Sequence, residues 1–79
     1  MKKVMVNLSA SQQIKEFVNI LSKYSFDMDL RSGKYLVDAK SILGIFSLDL
    51  SKPVELELLT DNEEEINKFM ADIKPFIAE

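Results

Sequence analysis

The sequence predicts an α+β fold in which helices cover one face of a four-stranded antiparallel sheet, an open-faced sandwich in the order βαββαβα. Three observations predict it. Short runs alternate apolar and polar residues, two longer runs space their apolar residues as single helical stripes, and turn or cap residues fall between them. By element order alone, a ferredoxin-like or ACT-like arrangement is equally open.

The first strand is read from Lys3 to Leu8, where Val4, Val6 and Leu8 alternate with Lys3, Met5 and Asn7. Ser9-Ala10-Ser11-Gln12 supplies a helix start, with Ser9 capping and Gln12 reaching back, or with Ser11 as an equally good cap. Ile14, Phe17, Val18 and Leu21 then fall at i, i+3, i+4 and i+7, the buried stripe of an amphipathic helix whose Gln13, Lys15, Glu16 and Asn19 face solvent. Phe26, Met28 and Leu30 alternate into the polar connection Arg31-Ser32-Gly33-Lys34, in which Gly33 can take a positive φ, so a hairpin is expected. Its second strand, Tyr35 to Ala39, alternates less cleanly and is expected at an edge.

Ser41 opens a short helix to about Ser47. Pro53, which fits only at a strand start, precedes the alternating Val54-Glu55-Leu56-Glu57-Leu58. Thr60-Asp61-Asn62-Glu63 matches a capping box, and Glu63, Glu64 and Glu65 complement the positive end of the last helix as a solvated first turn. Ile66, Phe69, Met70 and Ile73 are its buried stripe, and Pro75 is expected to end it. Tyr24, Phe26 and Tyr35 show no basic interleaving of the kind that suggests base stacking and are read as packing residues.

Composition narrows the functions. Residues 1–79 are read as one domain, and 47% hydrophobic with 29% charged residues argues for a globular chain rather than a disordered or coiled-coil one. With neither cysteine nor histidine, a structural metal is not expected and thiolate chemistry is excluded. A net charge of −3 argues against a sequence-independent grip on nucleic acid. Neither a signal-peptide core nor a run of about 20 apolar residues is present, so no membrane role and a cytoplasmic location are expected. No cofactor is called for, and protein partners remain.

The most informative segment is Asp38-Ala39-Lys40-Ser41-Ile42-Leu43-Gly44-Ile45-Phe46-Ser47-Leu48, a strand end, a capping serine and a very apolar short helix. As an N-cap, Ser41 needs no other role, since its hydroxyl can accept a backbone N–H in the turn Ile42-Leu43-Gly44. Ile42, Leu43, Ile45, Phe46 and Leu48 exceed what one face of so short a helix can bury. Either Ile42, Ile45 and Leu48 are core while Leu43 and Phe46 cover loop edges, or Leu43 and Phe46 form a contact patch; exposure of at least Phe46 is expected.

This segment resembles the regulatory segment of HPr, the small phosphocarrier family of the bacterial sugar phosphotransferase system, where Lys-Ser-Ile-[Leu/Met]-Gly carries a regulatory serine and a docking helix. The match runs without a gap from Ser22-Lys23-Tyr24 through Ser41-Ile42-Leu43-Gly44 to Ser47-Leu48, and more weakly towards both ends. The resemblance implies an HPr-like fold and partners in the phosphotransferase or carbon-regulation network. It implies phosphorylation of Ser41 by a serine kinase and partner contacts from Lys40, Ile42, Leu43, Phe46 and Ser47. The same register places Ala10 at the family's phosphohistidine and Gln12 at its phosphoryl-steadying arginine. A methyl group has no lone pair for phosphoryl transfer and a neutral amide has no charge to stabilise it, so histidine-mediated transfer and catalysis are not expected. Ser9 and Ser11 have no base nearby in sequence. Binding of an anion at the first helix start, in an accessory domain without a phosphotransferase role, is the alternative, against an ordinary capped helix. The pattern is similar to that of the catabolite-repression relatives of HPr, which also lack the histidine and keep the serine.

Overall fold

A computed structural model describes residues 2–78. Its strands β1 (Lys2–Val6), β2 (Met28–Ser32), β3 (Tyr35–Asp38) and β4 (Val54–Leu58) form one antiparallel sheet in the order β1-β4-β2-β3. Helices α1 (Ser11–Leu21), α2 (Ile42–Phe46) and α3 (Glu63–Asp72) connect and follow them, and a 3₁₀ turn, Lys74–Phe76, comes last. The central strands are β4 and β2, whereas a ferredoxin-like sheet would put β1 and β3 there. β3 lies at an edge, as its imperfect alternation implies.

The register explains why these sequences choose this order. Val4, Leu56, Leu30 and Val37 are successive partners across all four strands and form one apolar row. Leu30 and Leu56, in the middle, are fully buried, while Val4 and Val37, at the ends, are partly buried. The next residue along each strand faces the other way, which gives the solvent-side row Lys3, Glu57, Asp29 and Asp38. Against the apolar face pack Ile14, Phe17, Val18 and Leu21 of α1, Ile45 of α2, Phe69 of α3, Ile73 after it and Phe76 of the final turn. Each fully buried aliphatic or aromatic side chain contributes roughly 1.5–3 kcal/mol, so this single face supplies the main folding energy.

Both edges are limited. Beside β1, Asn7 N–H donates to the Phe76 carbonyl at 2.7 Å and Ala78 N–H to the Met5 carbonyl at 2.9 Å, and Val6 forms a bridge with Ile77. Beside β3, the turn into α2 takes the Asp38 carbonyl through Ser41 N–H at 3.0 Å. The β2–β3 hairpin is tighter than the sequence suggests, because Ser32 pairs with Tyr35 and leaves only Gly33-Lys34 as the loop. Gly33, at φ 59°, holds the first loop position, where a II′ turn requires a positive φ.

Several boundaries and contacts differ from expectation for identifiable reasons. β1 ends at Val6, and Leu8 reaches the core from beyond the strand. β2 starts at Met28 rather than Phe26 and continues through Ser32, while β3 ends at Asp38 rather than Ala39. Neither Ser9 nor Ser11 caps α1: the N-cap is Ala10, which has no side-chain acceptor. The reach-back comes from Gln13, not Gln12, because the helix starts one residue later than the Ser9 box requires. The cap of α3 is Asn62, whose side chain accepts from Glu65 N–H at 3.1 Å, and Thr60 instead accepts from Asn62 N–H at 3.2 Å. Helix α3 stops at Asp72, and Pro75 sits inside the 3₁₀ turn, where its lost N–H is tolerated. Tyr35 is exposed on the edge strand instead of packing.

Tyr24 closes the core on the side of α3. Its ring lies 5.1 Å from Phe69, edge to face, and 5.5 Å from Phe26, while its hydroxyl donates to Asp72 Oδ2 at 2.5 Å. Burial first, then that hydrogen bond and the charges of Asp72 and Glu65, push the Tyr24 hydroxyl up to about 12 from its ordinary value of 10.0. The unfolded chain therefore loses this proton first as pH rises, and binding fewer protons in the unfolded state means that stability falls with pH. The contribution is whole below about pH 10 and is lost as pH climbs through about 12. Tyr24→Phe should flatten the alkaline decline seen in thermal melts over that window; a variant whose decline matches the wild type would show that Tyr24 does not cause it.

Candidate docking surface and first-helix site

Helix α2 sits on the sheet edge through its glycine. A Cβ on Gly44 would lie 3.2 Å from Val37 Cβ and 3.4 Å from Ser41 Oγ, tighter than ordinary contact to the first. The missing side chain thus lets α2 lie close against β3. Ser41 is the N-cap, in extended geometry, and its Oγ accepts from Gly44 N–H at 3.2 Å, a contact worth about 1 kcal/mol. Ser47 closes the other end, its hydroxyl donating to the Gly44 carbonyl at 2.6 Å.

With that seat fixed, the helix turns only Ile45 fully inward, and Leu48 follows it into the core. Leu43 is 84% exposed and Phe46 48% exposed, as expected for a contact patch. Ile42 is not core, contrary to one of the two readings above; it is 38% exposed and joins the outward side. A five-residue helix has one inward position per turn, and Ile45 takes it. The result is an apolar surface of Ile42, Leu43 and Phe46 beside Ser41, flanked by exposed Ser47.

Lys40 precedes this surface, but its side chain runs inward. Its ammonium donates to the Tyr24 carbonyl at 2.7 Å, and its backbone N–H donates to Asp38 Oδ1 at 2.9 Å. Sequence reasoning missed the first bond, since nothing in the local pattern around Lys40 points to a carbonyl sixteen residues earlier.

At the start of α1, Gln13 Oε1 accepts from Ser9 N–H at 3.2 Å, Ser9 Oγ at 3.2 Å and Ala10 N–H at 3.3 Å. Ala10 and Gln12 are exposed and offer neither a nucleophile nor a permanent charge. The amide oxygen of Gln13 thus holds the Ser9 and Ala10 N–H groups just before the helix. No group of three or more acidic, cysteine or histidine residues able to hold a metal ion occurs among the described residues. No helix among them is long and apolar enough to cross a membrane.

The fold has counterparts among known proteins. The family model for the PTS HPr component phosphorylation site matches residues 10–79. The structure of HPr-C-His from Thermoanaerobacter tengcongensis superposes with a TM-score of 0.72 and 34% identity, covering 92% of this chain and 90% of that one. The phosphocarrier protein HPr from Bacillus anthracis str. Ames gives 0.60 and 26%, covering 90% and 92%. Crh, the catabolite repression containing protein of Bacillus subtilis, described as a dimer with a swapped domain, shares the fold at 0.65 with 24% identity, covering 96% and 90%. Comparison with curated proteins gives no match. HPr-family proteins are phosphocarriers of the phosphotransferase system. Sequence across residues 10–79 and fold across nearly the whole chain agree, and the chain belongs to the HPr family.

Proposed function

We propose that this chain is a non-enzymatic regulatory or adapter member of the HPr family, which acts by docking onto phosphotransferase or carbon-regulation proteins and carries no phosphoryl group on histidine. The observation that carries the reading is the pairing of an outward apolar surface on α2 with a first helix whose start carries no imidazole and no cationic side chain. The chain contains no histidine at all. Ala10, at the N-cap of α1, stands at the carrier position and Gln12 at the place of the steadying arginine, and both are chemically unable to serve. Leu43 and Phe46, with Ile42 beside them, supply the contact area. The surroundings are cytoplasmic, where such partners reside.

Ser41 is the proposed control point. A serine kinase would pass the terminal phosphoryl group of a nucleoside triphosphate to Ser41 Oγ, releasing the diphosphate and the hydroxyl proton. The product carries roughly −1.5 to −2 charges next to the apolar surface, so the change selects which partner docks by electrostatics. The proposal of an anion-binding accessory domain is less well supported, because Ser9-Ala10-Ser11-Gln12-Gln13 brings no positive charge to the helix start.

Phe46→Asp should keep the melting temperature within a few degrees, since the ring is half exposed. It should also lower affinity for a phosphotransferase or carbon-regulation partner at least about tenfold in calorimetric titration, the scale of losing a central interface aromatic. Unchanged affinity in the folded variant would remove α2 as the docking surface. For Ser41, phosphate-affinity electrophoresis after incubation with a serine kinase and nucleoside triphosphate should show one retarded band, abolished in Ser41→Ala; no band, or a band that survives the substitution, would end the regulatory part of the reading.

A further inference from the structure

The chain around Ser41 is tied to a distant part of the molecule by one side chain. Lys40 Nζ reaches the Tyr24 carbonyl at 2.7 Å, although the Asp38 carboxylate, which accepts Lys40 N–H, lies only two residues away in sequence. Tyr24 is in turn fixed at its other end, through its hydroxyl, to Asp72 at the end of α3. Between the α1–β2 connection and α3 lies a cleft of about 330 Å³, bordered by Lys23, Ser25, Glu65 and Lys68 together with Tyr24 and Asp72. The start of α2, the α1–β2 connection and α3 are therefore linked in series by Lys40 and Tyr24.

The link has a weak point. Its acceptor on the Tyr24 side is a neutral carbonyl, and an ionised acceptor binds an ammonium much more strongly. A phosphoryl group on Ser41, the residue that follows Lys40, would be such an acceptor, bearing three strongly accepting oxygens. We infer that Lys40 is a strap that phosphorylation of Ser41 releases from Tyr24, loosening the α1–β2 connection and the cleft beside α3. This rests on the reading of Ser41 as the modified residue. Lys40 is then a positioning residue rather than a partner contact in the unmodified protein, and the modification signals at two places, on the docking surface and at the cleft. Before modification the Tyr24 carbonyl is held; afterwards it must turn to water, and the segment 22–27 loses its tie to α2, keeping only local bonds such as those from Ser22, Lys23 and Tyr24 N–H to the Val18, Ile20 and Leu21 carbonyls.

The test uses the full chain with phosphoserine installed at position 41 during translation, so that its outcome does not depend on whether a cognate kinase exists. Hydrogen exchange of the amides of residues 22–27 is compared among the unmodified chain, the phosphoserine chain, Lys40→Met, and Lys40→Met carrying phosphoserine. Losing one charge-assisted hydrogen bond should speed exchange at least about tenfold in the phosphoserine chain and equally in Lys40→Met. The two changes together should do no more than either alone. Lys40→Arg, which keeps a donor, should exchange like the unmodified chain. If phosphoserine leaves these amides unchanged, or adds its full effect on top of Lys40→Met, the strap is not released by phosphorylation. If Lys40→Met itself has no effect, there is no strap. None of these outcomes bears on whether α2 docks partners, which the Phe46 titration decides separately.

Discussion

The approach of α2 to the sheet edge is the constraint on which the exposed apolar surface depends. Gly44 has no side chain to hold Val37 away, and the Ser41 cap fixes where the helix begins. Once those two points are set, rotation about the helix axis is no longer free. Ile45 must point into the core, and Leu43 and Phe46 must point out. The same packing that stabilises this corner therefore leaves apolar side chains in water. Exposed apolar area of this kind is ordinary when scattered, but three such residues on one short helix next to its capping serine form a continuous face.

The opposite situation holds at α1. There the sequence Ser9-Ala10-Ser11 leaves the helix without a side-chain cap, and Gln13 compensates by folding back onto the backbone of Ser9 and Ala10. The fold is retained because its energy comes from the apolar rows Val4–Leu56–Leu30–Val37 and the helix stripes, none of which involves the residues at positions 10 and 12. Positions 10 and 12 lie at an exposed helix start, outside those apolar contacts, so what side chain stands there leaves the core packing unchanged.

The fold was largely legible because its signals are local. Alternation at Met28/Leu30 and Val54/Leu56/Leu58, and the stripe Ile14, Phe17, Val18 and Leu21, mark residues that are all buried. The edge position of β3 was readable from its broken alternation. What was not legible depends on one-residue shifts or on distance along the chain. The caps at Ala10 and Asn62 each lie one or two positions from the expected serine or threonine, because several polar residues compete and tertiary packing selects among them. Ile42 was assignable to either side of α2 until the seat on β3 fixed the rotation. The bonds from Lys40 to Tyr24 and from Tyr24 to Asp72 span 16 and 48 residues, and no local pattern encodes them.

The proposed function turns on whether a chain with the carrier's fold but no histidine can take up a phosphoryl group. The measurement is transfer of label from radioactive phosphoenolpyruvate, through the general enzyme of the phosphotransferase system, to this chain, with a histidine-containing HPr in a parallel reaction. The account predicts rapid acid-labile labelling of that HPr and no label on this chain. Efficient labelling of this chain at a comparable rate would contradict it, and would mean that a hydroxyl near Ala10 has taken over the role of the missing imidazole.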